Sequence, residues 1–157
     1  MSEETLRPLD ATDQRQILVA LQEWVNGLTD PDTGLNILDD RLYLEFQNSN
    51  FGYCIKSMGG SITEEDITGD FSAEMQFGIY LTTNAVPDND GSIFRPLNNL
   101  SAWFRKNGTA GLNIGDRRTP DEIKTLKDAT HLSGPDEQGT VTFVSVFGLT
   151  YDEEKGE

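Results

Sequence analysis

Phe71-Ser72-Ala73-Glu74-Met75-Gln76-Phe77-Gly78-Ile79-Tyr80-Leu81-Thr82 is the most regular stretch of the chain. Apolar side chains hold every second position from Phe71 to Leu81, and Ser72, Glu74, Gln76, Gly78, Tyr80 and Thr82 lie between them. Successive side chains of a strand point to opposite faces, so this spacing gives one apolar face and one polar face. Extended, the stretch spans roughly 40 Å, well beyond the usual strand of about five to six residues. One buried and one wet face mark an antiparallel sheet covered on one side.

Toward the C-terminus the same period returns. Val141, Phe143, Ser145, Phe147, Leu149 and Tyr151 alternate with Thr142, Val144, Val146, Gly148 and Thr150. Val144 and Val146 make the centre of this strand apolar on both faces, which places it inside the sheet. A turn-rich segment, Gly134-Pro135-Asp136-Glu137-Gln138-Gly139, joins it to a preceding strand at 123–132, where Ile123, Leu126 and Leu132 are imperfectly spaced. Toward the N-terminus, Leu42, Leu44 and Phe46 alternate with polar residues. Asn48-Ser49-Asn50 signals a tight turn, and 52–58 reads as the returning strand of a hairpin, broken by Gly59-Gly60.

Two segments have helical period. Ile17, Leu18, Leu21, Trp24, Val25 and Leu28 form one apolar stripe, which predicts a helix over 12–27. Asp10 or Thr12 can cap it, and Asp13 sits near its positive end. Leu97, Leu100, Trp103 and Phe104 follow Pro96, a residue suited to a first helical turn, and Asn107-Gly108 closes this second helix. The order is helix, hairpin, long strand, helix, hairpin. It predicts an α+β fold of two layers: a mainly antiparallel sheet of four or five strands with two helices on one face. Trp24, Phe77 and Phe104 are its expected core anchors. With 157 residues the chain makes one domain, 1–157, in which 1–11 and 152–157 are expected as flexible termini.

Composition excludes several classes of function. Twenty-seven acids against 12 Lys and Arg give a net charge of −15. Tight binding of nucleic acid or an anionic membrane needs Lys and Arg to displace counterions, so neither is expected. No apolar run is long enough to span a bilayer, and the start Met1-Ser2-Glu3-Glu4 is acidic where a signal peptide is basic. One cysteine makes no disulfide framework, and one histidine makes no His-based metal site. A cytosol-made protein is the expectation.

The candidate chemistry is thin. His131 and Cys54 lack the partners a nucleophile and its base need, and no catalytic role is expected for either. Asp88-Asn89-Asp90-Gly91 resembles a calcium loop until the register is counted: with Gly91 sixth, Val86 is first and Leu97 twelfth. Asp30-Pro31-Asp32-Thr33-Gly34 puts Pro31 at a ligand position. Both read as Asx-type turns, and no metal or cofactor is expected. Glu64-Glu65-Asp66 and Asp152-Glu153-Glu154 are acidic runs placed in a loop and in the tail, with no Gly-rich phosphate cradle beside them. Arg117-Arg118, next to Asp116, is the one concentrated positive spot, and it falls in a Gly-rich loop at 109–120. These three residues are the candidate contact, with the arginines meeting an acidic patch on a neighbouring copy and setting register more than affinity. A folded domain without a catalytic constellation points to binding or assembly.

This layout resembles the tail terminator proteins of long-tailed bacteriophages and prophages, a group also described as minor capsid or tail completion proteins. The likeness is carried by the stripe Ile17-Leu18 to Trp24-Val25, the long strand 71–81 after an acidic loop, the short helix 97–104, and the closing strand from Gly139 to Tyr151. It covers about 12–151 and rests on layout, since that family has no catalytic signature. It implies a non-enzymatic ring of six copies that caps the tail tube, contacts the tail tube protein and the head–tail connector, and lets DNA through without specific binding. It further implies a place in the virion tail after assembly in the cytoplasm of the bacterial host. Two physical inferences accompany it. A head-to-tail contact that closes makes a ring, and a −15 subunit can line a channel that repels DNA. The alternatives are a head–tail connector or adaptor protein, and a small-molecule binding module outside phage assembly.

Overall fold

A computed structural model describes residues 7–38, 41–44, 52–84, 95–137 and 139–154. The elements are β1 (Arg7–Pro8), α1 (Ala11–Asn26), β2 (Leu42–Leu44), β3 (Gly52–Glu65), β4 (Phe71–Asn84), α2 (Arg95–Asn107), β5 (Arg118–Ser133) and β6 (Thr140–Glu153). The sheet runs β1-β3-β4-β6-β5, with β2 paired to β3 off this path. β3, β4, β6 and β5 are antiparallel throughout. Both helices pack on one face, which makes the expected two-layer α+β fold.

The decisive stretch behaves as its period requires. Ala73, Met75, Phe77, Ile79 and Leu81 are buried, and the residues between them, Gly78 apart, are half-buried on the opposite face. Opposite them on β6 stand Tyr151, Leu149, Phe147, Ser145 and Phe143, in an unbroken register. The helices close over this row through aromatic contacts. Phe104 of α2 meets Phe147 edge-on at 5.1 Å and stacks on Trp24 of α1 at 5.4 Å. Leu18, Leu21, Leu97 and Leu100 fill the space around them. Trp24 remains half-buried and spends its indole N–H on the carbonyl of Ala110 at 3.0 Å. α1 begins after Asp10, whose carboxylate accepts from the backbone N–H of Thr12, which satisfies one of the free donors of the first turn.

Four expectations need correction. The first is the hairpin over 42–58. β2 runs parallel to β3, with Leu42 opposite Tyr53 and Leu44 opposite Ile55. Alternation reports which face a residue occupies and carries no strand direction. Direction here is fixed from α1: the Asn26 side chain both accepts from the N–H and donates to the C=O of Leu42, and Gln22 donates to the same carbonyl. The turn signal at 48–50 and the Asp88–Gly91 loop lie outside the described residues.

The second is the break at Gly59-Gly60. β3 continues through it by a bulge, since Ser57 faces Phe77 and Gly60 already faces Met75. Gly60 is the place where the N-terminal segment crosses the sheet. Leu9 donates to its carbonyl at 3.0 Å, and a Cβ there would lie 2.5 Å from Leu9 Cδ1. The third correction concerns the termini expected as flexible. Arg7–Pro8 pair with β3, Leu9 is buried, and Asp152 and Glu153 extend β6 between β4 and β5. Apolar Leu9 and the unbroken register of β6 draw 7–9 and 152–153 into the fold, and 1–6 and 155–157 lie outside the described residues.

The fourth concerns β5, which starts at Arg118 and includes Pro120. Its register shifts four times against β6, which explains the imperfect spacing of Ile123, Leu126 and Leu132. Bulges and a proline are devices that keep an edge strand from pairing further.

Candidate functional site

The segment from Gly108 to Arg117 leaves α2, tucks Leu112 and Ile114 into the core and delivers Arg118 to the start of β5. Asn113 accepts from the N–H of Gly115 through its side chain, which tightens the last turn. Arg118 then folds back over it. Its Nη1 donates to the Ile114 carbonyl at 3.0 Å, its Nε to Glu153 Oε1 at 2.8 Å, and its Nη2 to Asp13 Oδ1 at 2.9 Å and to Gln16 Oε1 at 3.0 Å. The side chain is only 10% exposed. One guanidinium thus ties the first turns of α1, the 108–117 segment and the end of β6 together. A planar fork with five donors suits this many acceptors.

The expected contact site therefore divides. Arg118 is spent inside the chain: its side chain is almost fully buried, and its donors already meet two carboxylates, an amide oxygen and a carbonyl of its own subunit. Arg117 and Asp116 are exposed, and Arg117 uses its backbone carbonyl to accept from the N–H of Glu154. Next to Arg118 lies Tyr151, buried, with a hydroxyl that has no hydrogen-bond partner among the described residues. Burial raises the phenol above its ordinary range, the Glu153 carboxylate adds to this, and Arg118 opposes it.

The two acidic runs, distant in sequence, meet in space. Glu64, Glu65, Asp66 and Asp70 at the β3–β4 turn face Asp152, Glu153 and Glu154 at the end of β6 across a depression of about 640 Å³. The register brings them together: Glu64 pairs with Ser72, and Ser72 with Asp152, whose carboxylate accepts from the Ser72 hydroxyl. Neither run is a loose end, as the sequence suggested. Asp66 organises the turn. Its Oδ1 accepts from the N–H and hydroxyl of Thr68 and from the N–H of Asp70, and the Thr68 hydroxyl contributes most to lowering the Asp66 pKa. Seven carboxylates at one sheet end make an anionic rim. The signal was present in sequence as two acidic runs, but their meeting depends on the β3–β4–β6 register.

His131 is exposed at the far end of β5, where its Nε2 lies 2.8 Å from the Gly134 carbonyl and its ring meets Phe143 edge-on. Cys54 is half-buried on β3. The structure brings neither to the other nor to the rim. Among the described residues, no group of three or more His, Cys, Asp or Glu is arranged to hold a metal ion, and no helix is long and apolar enough to cross a membrane. The Asp30–Gly34 segment is a turn in which Asp30 Oδ1 accepts from the N–H of Asp32. Compared with protein families and with curated proteins, the chain matches none.

Proposed function

We propose that this chain is a non-enzymatic assembly protein of the tail terminator kind, a ring-forming subunit that caps a phage tail tube and joins it to the head. The observation that supports this most is the one-sided sheet. Among the described residues, β4 and β6, of 14 residues each, are covered by helices on one face and by no helix on the other. A ring subunit must present two different surfaces to its neighbours, because a head-to-tail contact joins unlike patches. That second face and the acidic sheet end are two such surfaces. A ring of six subunits, each at −15, would also line its bore with like charge and let DNA pass without capture. In this reading the partners are further copies, the tail tube protein and the head–tail connector, and the site of action is the virion tail, assembled in the host cytoplasm.

The test is a reconstituted tail-tube assembly. Tube protein is polymerised with and without this chain, and tube lengths and tube ends are imaged by electron microscopy. The expected result is shorter tubes bearing a ring-shaped cap. Unchanged lengths with bare ends at saturating protein would sink the proposal.

A further inference from the structure

The sheet face away from the helices, which no described helix covers, is not uniformly polar, and Val144 on it is buried. Across its middle the register sets Lys56, Gly78, Val146 and Lys127 in one row over β3, β4, β6 and β5. Gly78 and Gly148 carry no side chains there, and their neighbours lean over them. A Cβ on Gly78 would meet Met58 Sδ at 3.1 Å and Val144 Cγ2 at 3.3 Å, and one on Gly148 would meet Leu126 Cδ1 at 3.2 Å. Met58 and Leu126 are each 45% exposed. The bulge between Thr125 and Lys127 delivers Leu126 to this face. Lys124 and Lys127, both exposed, rim the apolar stripe on the β5 side, and Lys124 Nζ lies 3.6 Å from Glu122 Oε1 in an exposed pair that leaves its ammonium accessible. Gln76, Gly148 and Lys124 make the next row toward the acidic sheet end, and Glu74 and Glu122, both opposite Thr150, the row after it. One face thus runs from a lysine-rimmed apolar middle to an anionic end.

We propose that the lysine-rimmed stripe on this face of one copy receives the acidic rim of the next. Lys124 and Lys127 meet carboxylates of the β3–β4 turn and the β6 end, and Met58 and Leu126 are covered. This rests on the ring reading and names its subunit contact. Charge complementarity makes a second copy the occupant, because the same chain carries both the lysine rim and the acidic rim. A chain at −15 repels itself at long range, and this falls off within about 8 Å at physiological salt. At contact, opposite charges fix register. The two patches differ, so each copy uses one of each and the contact propagates.

The test mixes unlabelled and ¹⁵N-labelled full-length protein at high concentration in physiological salt. A carbodiimide then joins lysine amines directly to carboxylates in contact, and linked peptides are read by mass spectrometry. The expected result is mixed-isotope links from Lys124 or Lys127 to the acidic rim, in species larger than a dimer. Links no more frequent than those from Lys106, an exposed lysine of α2, would overturn the proposal. A product that stops at the dimer would overturn its head-to-tail form. The Lys124→Glu, Lys127→Glu double variant separates this contact from the ring reading in the tail-tube assay. Its capping should fall at least tenfold while its melting curve stays native. If native protein and double variant cap equally, the contact is wrong and the ring reading stands. If native protein caps nothing, the ring reading falls and the link map alone decides the contact.

Discussion

Arg118 and Asp13 lie 105 positions apart and meet at 2.9 Å between Nη2 and Oδ1. The same guanidinium holds Glu153 and the Ile114 carbonyl. Removing it strands two part-buried carboxylates and one backbone acceptor at once. Breaking a fully buried pair costs about 3–5 kcal/mol. Asp13 and Glu153 keep 29% and 20% of their side-chain exposure, so water recovers some of that. Arg118→Ala should therefore lose about 2–4 kcal/mol in urea denaturation. Arg118→Lys should recover less than half of the loss, because one ammonium cannot reach four acceptors in a plane. A loss below about 0.5 kcal/mol for Arg118→Ala, the range of an ordinary surface change, would refute the clasp.

Tyr151 gives a prediction of opposite sign. Its hydroxyl is buried with no partner among the described residues, and such a group carries an uncompensated desolvation cost. Tyr151→Phe should hold stability at neutral pH or raise it by up to about 1 kcal/mol. The folded-state pKa lies above the unfolded value of about 10. The folded chain thus binds the proton more tightly than the unfolded chain does. This contribution is complete below the unfolded pKa and is lost as pH rises from there through the folded one. The native protein should lose stability above about pH 10, and the Phe variant should lose less. Parallel curves from pH 9 to 11 would contradict the assignment.

Phe77 is fully buried between β6 and the helices, with its ring 5.4 Å from Phe147. Phe77→Ala should cost about 3–5 kcal/mol, measured by chemical denaturation. A cost near 1 kcal/mol would mean that this row is not the centre of the core.

Gly60→Ala tests the N-terminal crossing. The added methyl meets both Leu9 and, at 3.0 Å, the Glu74 carbonyl. Leu9 can swing aside, whereas the backbone oxygen cannot. The expected cost is about 1–3 kcal/mol, together with faster amide exchange at Leu9. A native melting temperature and native protection at Leu9 would show that the segment does not lie against the sheet.

How much of this could be read from the chain differs by element. Period identified the core faces of β4 and β6 and the inward stripes of both helices, because burial on one face leaves a repeat of 2.0 or 3.6 in the sequence. Period could not orient β2, since Leu42 and Leu44 face the core whichever way the strand runs. It lost most of β5, because four bulges change the facing side within 16 residues. The acidic rim was visible as two separate runs, and only the β3–β4–β6 register joins them. Arg118 misled for a related reason. A charged residue in a Gly-rich stretch reads as exposed, and its partners Asp13 and Glu153 lie at opposite ends of the chain.

Arg117 and Arg118 therefore separate in one experiment. From sequence alone, reversing both charges should weaken association and spare the fold. In the structure only Arg117 is exposed, and only its backbone takes part in the fold, through the Glu154 contact. Arg117→Glu should leave stability within about 0.5 kcal/mol of native. Arg118→Glu should be worse than Arg118→Ala, because it brings a third carboxylate against Asp13 and Glu153 where like charges cannot separate. Thermal melts of the two single variants, run side by side at low and moderate salt, decide the matter. The Arg118→Glu deficit should shrink with salt, since added ions screen part of the new repulsion. Arg117→Glu should remain native at both salt concentrations. Equal deficits in the two variants would return both arginines to the surface and remove the clasp.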